Sequence, residues 1–529
     1  MGINVFKVES TNKAIVSSMF FSLIGKALNF VQMMVITYAF GVQASTDILF
    51  YVLSTILLLT FFVTSVNNQV IIPEAIRLRN EVSEEEAAKF ISNIYYIFLG
   101  IGIIGTIILF ISPIELLSTF SKFKASDIRD NFSILIYIIP TFLFTMINNF
   151  CLNIFNVYKF FTLPMVLDMF KNVVIIIFVL IFKESLQVTS LAMGTLIGNM
   201  IQFIIVTIFL SKVLNCKLVF KCYKFKSLII KNAIYTVLGQ LVTFISGFVM
   251  LYLLSGFNAG VFSAMDYSQK IVNVMNYVLI SQFSAVLGVN FMELYNRKNY
   301  LKINEIFSKY LKAGLLVIIP FCFLIYLNSE RIISLLFQRG RFDYNAVLIT
   351  SGFLKYLVLM IPVMLINNFI FKLIYAKQMQ KKAFIYMLLY NIFSLTIVYT
   401  FIKVVGYFGY AIGLLISYVF YTICVFYFET RKELSFINYK DISKYTLINI
   451  LLNLAICFVI SFVFSSLNFK IDLLSNITYV VLSVVVYLLI FLSICVVSGV
   501  NKSVIVELKN YIKAKLGSHK EIVKVNQEI

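Results

Sequence analysis

The chain has 529 residues, of which 61% are hydrophobic and only 13% charged, with a formal net charge of +20. This composition excludes a soluble globular domain, in which roughly a quarter of the residues are charged. Apolar runs of about 20 residues recur from Ala14 to Val497, and each is long enough to cross a bilayer. The sequence therefore predicts an all-α polytopic membrane protein. A membrane β-barrel would instead show alternating segments of about ten residues.

The predicted membrane helices follow one another with short connections. No small-residue cleavage site follows the first apolar run, so we expect that run to be a permanent helix and not a signal peptide. Numbered in chain order, the fourteen predicted helices span residues 14–40, 47–72, 90–112, 132–157, 162–182, 188–211, 229–254, 261–292, 308–327, 346–376, 382–403, 407–428, 443–466 and 474–497.

Basic residues in the connections predict the orientation of these helices. Most of the 44 Lys and Arg residues fall on one side of the membrane when both termini are placed in the cytoplasm. Because cytoplasmic loops are enriched in Lys and Arg, we predict a topology with both termini inside. Basic loops beside anionic lipid headgroups account for the positive charge, so no nucleic-acid partner is expected.

Two blocks of the chain resemble each other, which predicts an internal duplication. LIGKALNF at 23–30 is similar to VLGQLVTF at 237–244, and NNF occurs at both 148–150 and 367–369. Each copy contains six predicted helices, an even number, so the copies have the same orientation and a parallel pseudo-two-fold axis. Substrates of such transporters bind between the lobes. The predicted divisions are an N-terminal lobe (1–212), a C-terminal lobe (213–430), two additional helices (431–500) and a cytoplasmic basic tail (501–529).

The chain contains no motif for zinc binding, ATP hydrolysis or catalysis. The seven cysteines form no CxxC pair, so we expect buried apolar fillers instead of a zinc site. There is no G-x-x-x-x-G-K-[ST] loop and no insertion large enough for a catalytic domain. We therefore expect a secondary transporter without cofactor or metal, and not an enzyme.

A few charged residues lie inside predicted helices, where each needs an explanation. Lys26 and Lys270 lie about two turns or more from the ends of helices 1 and 8, one in each lobe. If both face a cleft between the lobes, they attract an anion there. The alternative is an Asp266–Lys270 ion pair and a Lys26 that reaches the headgroups. Asp168 and Lys171, three residues apart on helix 5, are expected to pair.

Three segments carry a resemblance to a known family. AIVSSMFFSLIGKALNFVQMMVITYAFGVQASTDILF (14–50), IIPE (71–74) and LLFQRGRFD (335–343) resemble segments of the MurJ/MviN lipid II flippases in the same order. The helix count and the paired lobes also match. The resemblance implies that a polyprenyl-pyrophosphate-linked saccharide, lipid II or a related cell-wall or capsule precursor, moves from the inner to the outer leaflet of a bacterial cell membrane by alternating access.

The resemblance also implies which residues bind the substrate. The family's cavity is marked by arginines on helices 1, 2 and 8. Those of helix 1 correspond here to Lys26 and Gln32, that of helix 8 to Lys270, and those of helix 2 have no charged counterpart. The aspartate that follows helix 1 is retained as Asp47. Lysine binds as a point charge and lacks the bidentate fork with which arginine grips phosphate oxygens.

The turn between helices 9 and 10 is the predicted gate, and its arginines lie on the outer side against the charge rule. Gly340 permits a tight turn there, and Phe342 follows it. Arg339 and Arg341 either pair across the lobes or meet a pyrophosphate that leaves the cleft. The alternative is a basic turn that only contacts headgroups.

Two other classes of function are weighed against the flippase. A cation-coupled drug or small-molecule antiporter on the same scaffold would need carboxylates in the cleft, and the chain has few. A saccharide polymerase or ligase would need a long outer loop, and none is predicted. For the flippase we expect an ion gradient or the membrane potential as driving force. The expected partners are the lipid-linked saccharide, membrane lipids and enzymes of cell-wall or capsule synthesis.

Overall fold

The computed structural model describes residues 11–155, 157–158, 160, 162–213, 227–377, 379–465 and 473–498. Within these ranges the regular structure is helical and no β-strand occurs. The predicted basic tail with His519, the residues Cys216 and Cys222, and most of the basic connection before residue 227 lie outside the described residues.

The first half of the described chain contains long membrane helices and shorter helical pieces between them. A π-turn at Asn67–Ile71 joins α2 to α3 without a break. The helices are α1 (Thr11–Phe40), α2 (Ala44–Val66), α3 (Ile72–Glu81), α4 (Glu84–Ile111), α5 (Pro113–Phe120), α6 (Ala125–Asp130), α7 (Phe132–Ile138), α8 (Thr141–Ile154), α9 (Leu163–Leu186), α10 (Val188–Val213) and α11 (Ser227–Leu254).

The second half repeats this pattern of long helices with π-turns. Such turns at Tyr277–Ser281 and Ile423–Glu429 continue α12 into α13 and α18 into α19, and a 3₁₀ turn at Gly406–Phe408 precedes α18. The helices are α12 (Val261–Asn276), α13 (Gln282–Asn296), α14 (Tyr300–Phe337), α15 (Tyr344–Val358), α16 (Met360–Ala376), α17 (Gln380–Val405), α18 (Gly409–Thr422), α19 (Thr430–Glu433), α20 (Tyr439–Ser465) and α21 (Leu473–Ser498).

The prediction of an all-α polytopic membrane protein is confirmed. Each predicted helix coincides with helical residues, and 12 helices in the described part are long and apolar enough to cross a membrane. The count is lower than the predicted fourteen helices for two reasons. The first is that the predicted helices 382–403 and 407–428 belong to a single helical stretch, Phe384–Glu433. The segment predicted at 261–292 is helical but is not among the 12, and its first half carries Asp266 and Lys270. The count of fourteen stays a prediction.

The described chain forms two compact units. The first contains the residues up to Ser268 together with Leu336–Thr350 and Ile402–Tyr410. The second contains Gln269–Leu335, Ser351–Phe401 and the residues from Ala411 onward. The predicted division into lobes at residues 212 and 213 stays a prediction.

In the first unit, α9 packs against α1 and α10, and α8 packs against α4 and α10. Phe90 of α4 and Phe150 and Cys151 of α8 are fully buried in its core. Cys151 therefore fills apolar space, as the sequence predicted. In the second unit, α13 packs against α16 and α20 against α21. Hydrogen bonds between buried side chains also join helices there, since Ser483 donates to Asn328 Oδ1 at 2.8 Å.

Candidate functional site

A polar network lies inside the first unit, where α9 and α10 bring their polar residues together. Lys171 Nζ lies 3.1 Å from Asp168 Oδ1, so the predicted ion pair is confirmed. Gln202 Nε2 donates to the same oxygen at 2.9 Å. Asn148 Nδ2 donates to Gln202 Oε1 at 3.1 Å, which extends the network into the core. Sequence reasoning missed Asn148 and Gln202, although polar side chains within apolar helices are the signal that finds such residues.

Lys26 of α1 is electrostatically coupled to this network. Its ammonium acts on the Asp168 carboxylate, which also bonds Lys171. Two cationic groups thus act on one carboxylate, and the three formal charges sum to one positive charge. The Lys26 side chain is partly exposed, and about half of the Asp168 side chain is accessible. The group can therefore attract an anion while its charges remain partly paired.

Gln32 lies on another side of α1. It follows Lys26 by six residues, so their side chains point about 120° apart around the helix axis. Gln32 is partly exposed. Lys270 belongs to the second unit and is also partly exposed. The substrate-binding roles of Lys26, Gln32 and Lys270 stay predictions.

Asp47, at the start of α2, caps the beginning of α12. Its side chain is only 2% exposed, and its Oδ2 and Oδ1 accept the backbone N–H groups of Gly260 at 2.6 Å and Ser263 at 2.7 Å. The first N–H groups of a helix have no partner within the helix, and the helix dipole favours a negative charge at that end. Thr46 Oγ1 adds a hydrogen bond to Ser263 Oγ at 3.2 Å. Both carboxylate oxygens of Asp47 are thus already bound.

The predicted gate turn lies against the end of α1. Arg341 N donates to Tyr38 O at 3.1 Å. Gly340 has a φ of +59°, and a Cβ there would lie 2.3 Å from Tyr38 O. Gly41, with a φ of +60°, leaves no space either, because its Cβ would lie 2.3 Å from Arg341 O. Two glycines therefore permit direct contact between two backbone turns.

Aromatic side chains hold this contact together. Phe342 is 1% exposed, and its ring centroid lies 6.2 Å from that of Tyr267 and 5.8 Å from that of Phe337. The Tyr267 hydroxyl donates to Gly41 O at 3.1 Å. We call Tyr38–Asp47, Gly260–Tyr267 and Phe337–Phe342 the glycine junction.

The structure thus brings Asp47 and the gate turn into one cluster. The sequence analysis had assigned them separate roles, substrate binding for Asp47 and gating for the turn. Phe342 is a packing residue of this cluster, whereas Arg339, Gly340 and Arg341 are exposed at its surface. Among the described residues, no group of three or more His, Cys, Asp or Glu side chains could hold a metal ion.

Comparison with known proteins places these residues in a family context. A family model described as "Lipid II flippase MurJ" matches residues 36–490. A "Probable lipid II flippase MurJ" of Borreliella burgdorferi is 22% identical over 505 residues, which cover 93% of this chain and 98% of that relative. The protein of the same name from Buchnera aphidicola subsp. Baizongia pistaciae is 24% identical over 378 residues, covering 67% of this chain and 71% of the relative.

Solved structures share the fold. "Lipid II flippase MurJ, inward closed conformation" superposes with a TM-score of 0.72 at 21% identity and covers 90% of this chain and 97% of its own. An inward-facing multidrug resistance MATE family transporter of the MOP superfamily gives a TM-score of 0.63 at 15% identity, over 80% of this chain and 98% of its own. At these identities, the similarity concerns the fold alone.

Proposed function

Because this chain belongs to the lipid II flippase MurJ family, we propose that it moves a polyprenyl-pyrophosphate-linked saccharide, lipid II or a related cell-wall or capsule precursor, from the inner to the outer leaflet. The observation that carries the proposal is the family match, which extends through 36–490 and so covers most of the predicted N-terminal lobe and all of the predicted C-terminal lobe. The protein is a transporter and not an enzyme. Its substrate is a lipid-linked precursor, and it works within the membrane.

The anionic head of the substrate enters a cleft between the predicted lobes. The positive group formed by Lys26, Asp168 and Lys171 supports this step, because its charges sum to one positive charge, which attracts an anion. Lys270 supplies a second cation from the other predicted lobe, and Gln32 supplies a neutral hydrogen-bonding group. The lipid tail stays outside the cleft, against the exposed apolar side chains of α20 and α21.

Opening and closing of the glycine junction gives the alternating access. The two hydrogen bonds from Gly260 N and Ser263 N to Asp47 favour the closed junction, and their release opens it. Asp47 therefore acts on the conformation, and its predicted contact with the substrate stays a prediction. Arg339 and Arg341 remain exposed beside the closed junction, where they can meet an anionic head that leaves the cleft.

The protein lies in the bacterial cell membrane with both termini in the cytoplasm. The excess of basic residues in the predicted inner connections supports this orientation. An ion gradient or the membrane potential drives the cycle. Enzymes of cell-wall or capsule synthesis make the substrate on one side of the membrane and consume it on the other.

Purified protein in proteoliposomes tests the proposal. A fluorescent polyprenyl-pyrophosphate saccharide is placed in the inner leaflet, and its arrival at the outer leaflet is measured with a saccharide-specific enzyme. We expect translocation by the wild type and none by Lys26→Ala or Lys270→Ala at equal protein level. Lys26→Arg keeps the charge and should retain activity, and Lys355→Ala on α15 is the matched control. Full activity of both alanine variants would reject the cationic site, and no translocation by the wild type would reject the function.

The runner-up function is a cation-coupled drug or small-molecule antiporter. The MATE structures share the fold at 15% identity, so they do not favour this function by themselves. Efflux of a cationic dye from the same proteoliposomes distinguishes the two functions. We expect no efflux of the dye, because the positive group around Lys26 repels a cation.

A further inference from the structure

A cavity of about 480 Å³ lies within the second unit, bordered by α12, α16, α17 and α18. Its volume falls in the range of roughly 300–1,000 Å³ that is typical of small-molecule sites. Three asparagines contribute amide groups to its wall, namely Asn276, Asn367 and Asn368. None of these residues has a part in the glycine junction or in the Lys26 group.

Two buried polar groups in the cavity wall have no hydrogen-bond partner among the residues that the structure describes. Asn367 Oδ1 accepts a hydrogen bond from Thr422 Oγ1 at 3.1 Å, which fixes the amide and leaves Nδ2 unbound. The Tyr421 hydroxyl also lacks a partner. The two residues are 8% and 4% exposed, respectively. Buried donors are almost always satisfied in proteins, and a small movement of the cavity wall would bring both groups into contact with a ligand.

Aromatic rings form another side of the cavity. The Tyr390 ring lies 4.8 Å from that of Tyr418 and 5.1 Å from that of Tyr421, measured between centroids. Tyrosine offers an apolar ring face together with a polar hydroxyl. A sugar ring has the matching chemistry, because its C–H groups form apolar faces while its hydroxyl groups lie around the edge.

One charged side chain, Lys372, lines the cavity. It follows Asn368 by four residues on α16, so the two share a helix face. Gly288 of α13 makes room for the lysine stem, since a Cβ there would lie 2.9 Å from Lys372 Cδ. No carboxylate in the described chain forms an ion pair with Lys372. The ammonium attracts an anion into the cavity and disfavours a metal ion or an organic cation.

We propose that this cavity binds a sugar ring that carries an acidic substituent, as the head of the lipid-linked saccharide. The inference rests on the proposed function and adds a requirement for a negative charge on the sugar. Lys372 lies four residues before the end of α16, about 6 Å along the helix axis. Just beyond that end, Glu433 binds Lys377 and Lys382, as charged residues do at a membrane boundary. The cavity is therefore placed to receive a head from the aqueous side.

Soluble probes test the inference on the purified full-length protein. Glucuronate, glucose and inorganic phosphate are compared by equilibrium dialysis, since glucuronate has a carboxylate where glucose has a CH₂OH group, and phosphate has no ring. We expect glucuronate to bind about tenfold more tightly than glucose, the size of effect that one charge-assisted hydrogen bond gives. Phosphate should compete at least tenfold less well than glucuronate.

Variants assign the binding to the cavity. Lys372→Met should reduce the affinity for glucuronate about tenfold, to the affinity for glucose. Tyr390→Leu should reduce the affinity for both sugars. Lys355→Met and Tyr399→Leu, outside the cavity, should leave both affinities unchanged. Equal binding of the two sugars by the wild type, equal competition by phosphate, or no effect of Lys372→Met would overturn the proposal.

The translocation assay, run on the same preparations, separates this inference from the proposed function. Translocation without glucuronate binding refutes the cavity site and leaves the function in place. Glucuronate binding without translocation of any lipid-linked saccharide refutes the proposed function and leaves the cavity site in place.

Discussion

Replacement of Asp47 by Asn should open the glycine junction. The wild-type carboxylate has two oxygens, and each accepts a separate backbone N–H, from Gly260 at 2.6 Å and from Ser263 at 2.7 Å. An asparagine has one oxygen and an NH₂ group that cannot accept. One of the two N–H groups therefore loses its partner, and the negative charge at the start of α12 is also lost.

The size of the effect follows from these bonds. A hydrogen bond to a charged group contributes about 1.5–3 kcal/mol, and a buried donor left without a partner adds a desolvation cost. We expect the closed junction to lose about 2 kcal/mol relative to the open one. At 1.4 kcal/mol for each factor of ten, the ratio of open to closed protein should rise about 30-fold.

Cysteine labelling measures that ratio. Ser263 is fully buried in the closed junction, and Ser263→Cys in a background without other cysteines is nearly isosteric and retains the backbone donor. The rate of reaction with a membrane-impermeant maleimide should then increase about 30-fold when Asp47→Asn is added. The rate reports the open population as long as closing is faster than labelling.

Two controls separate opening of the junction from general unfolding. Asp130→Asn removes an exposed carboxylate of the same unit and should not change the labelling rate. A background that retains only Cys151, buried in the core of the first unit, should stay unreactive in the Asp47→Asn variant. Unchanged labelling at position 263, or an equal increase at Cys151, would refute the assignment of Asp47 as the cap that closes the junction.

Two further variants test other contacts. Gly340→Ala places a Cβ 2.3 Å from Tyr38 O at a φ of +59°, so it should destabilise the junction by about 1–3 kcal/mol and accelerate labelling at position 263 at least fivefold. Gly100→Ala, with no atom within 4 Å of the new Cβ, is its matched control, and equal effects of the two would contradict the argument. Glu433→Gln removes a carboxylate that lies 2.8 Å from Lys377 Nζ and also binds Lys382, and should lower stability by about 1 kcal/mol or less. The melting temperature of Glu433→Gln should be lower than that of the wild type, and this difference should shrink in 1 M salt. A difference that does not change with salt would show that the ion pairs of Glu433 with Lys377 and Lys382 are not its cause.

The helices could be predicted from sequence because the bilayer leaves few alternatives. In a hydrocarbon layer each backbone N–H and C=O must be bonded within the protein, so a run of about 20 apolar residues becomes a helix. The number of membrane crossings was harder to predict. Gly406–Phe408 forms a 3₁₀ turn between two helical segments, and composition does not show whether such a short turn separates two crossings.

The candidate site was only partly predictable. The charge of Lys26 indicated an anion site, but its coupling to Asp168 depends on how α1 packs against α9. The partners of Asp47 could not be found by motif, because they are backbone N–H groups more than 200 residues away in the chain. The repeated NNF motif was a usable signal for buried polar residues. Asn148 and Asn367, which begin its two copies, are both buried with one side-chain atom unbonded.

The cap formed by Asp47 has a consequence for how this protein tolerates mutation over evolutionary time. Its two donors belong to the main chain, so exchange of the side chain at position 263 leaves the N–H in place. Genetic drift in that turn can therefore alter the surroundings without deleting the contact, as long as glycine retains its φ of +91° at position 260. Selection therefore needs to preserve the acidic side chain at position 47 and the glycine at position 260, while position 263 can hold any residue except proline, which has no N–H to donate.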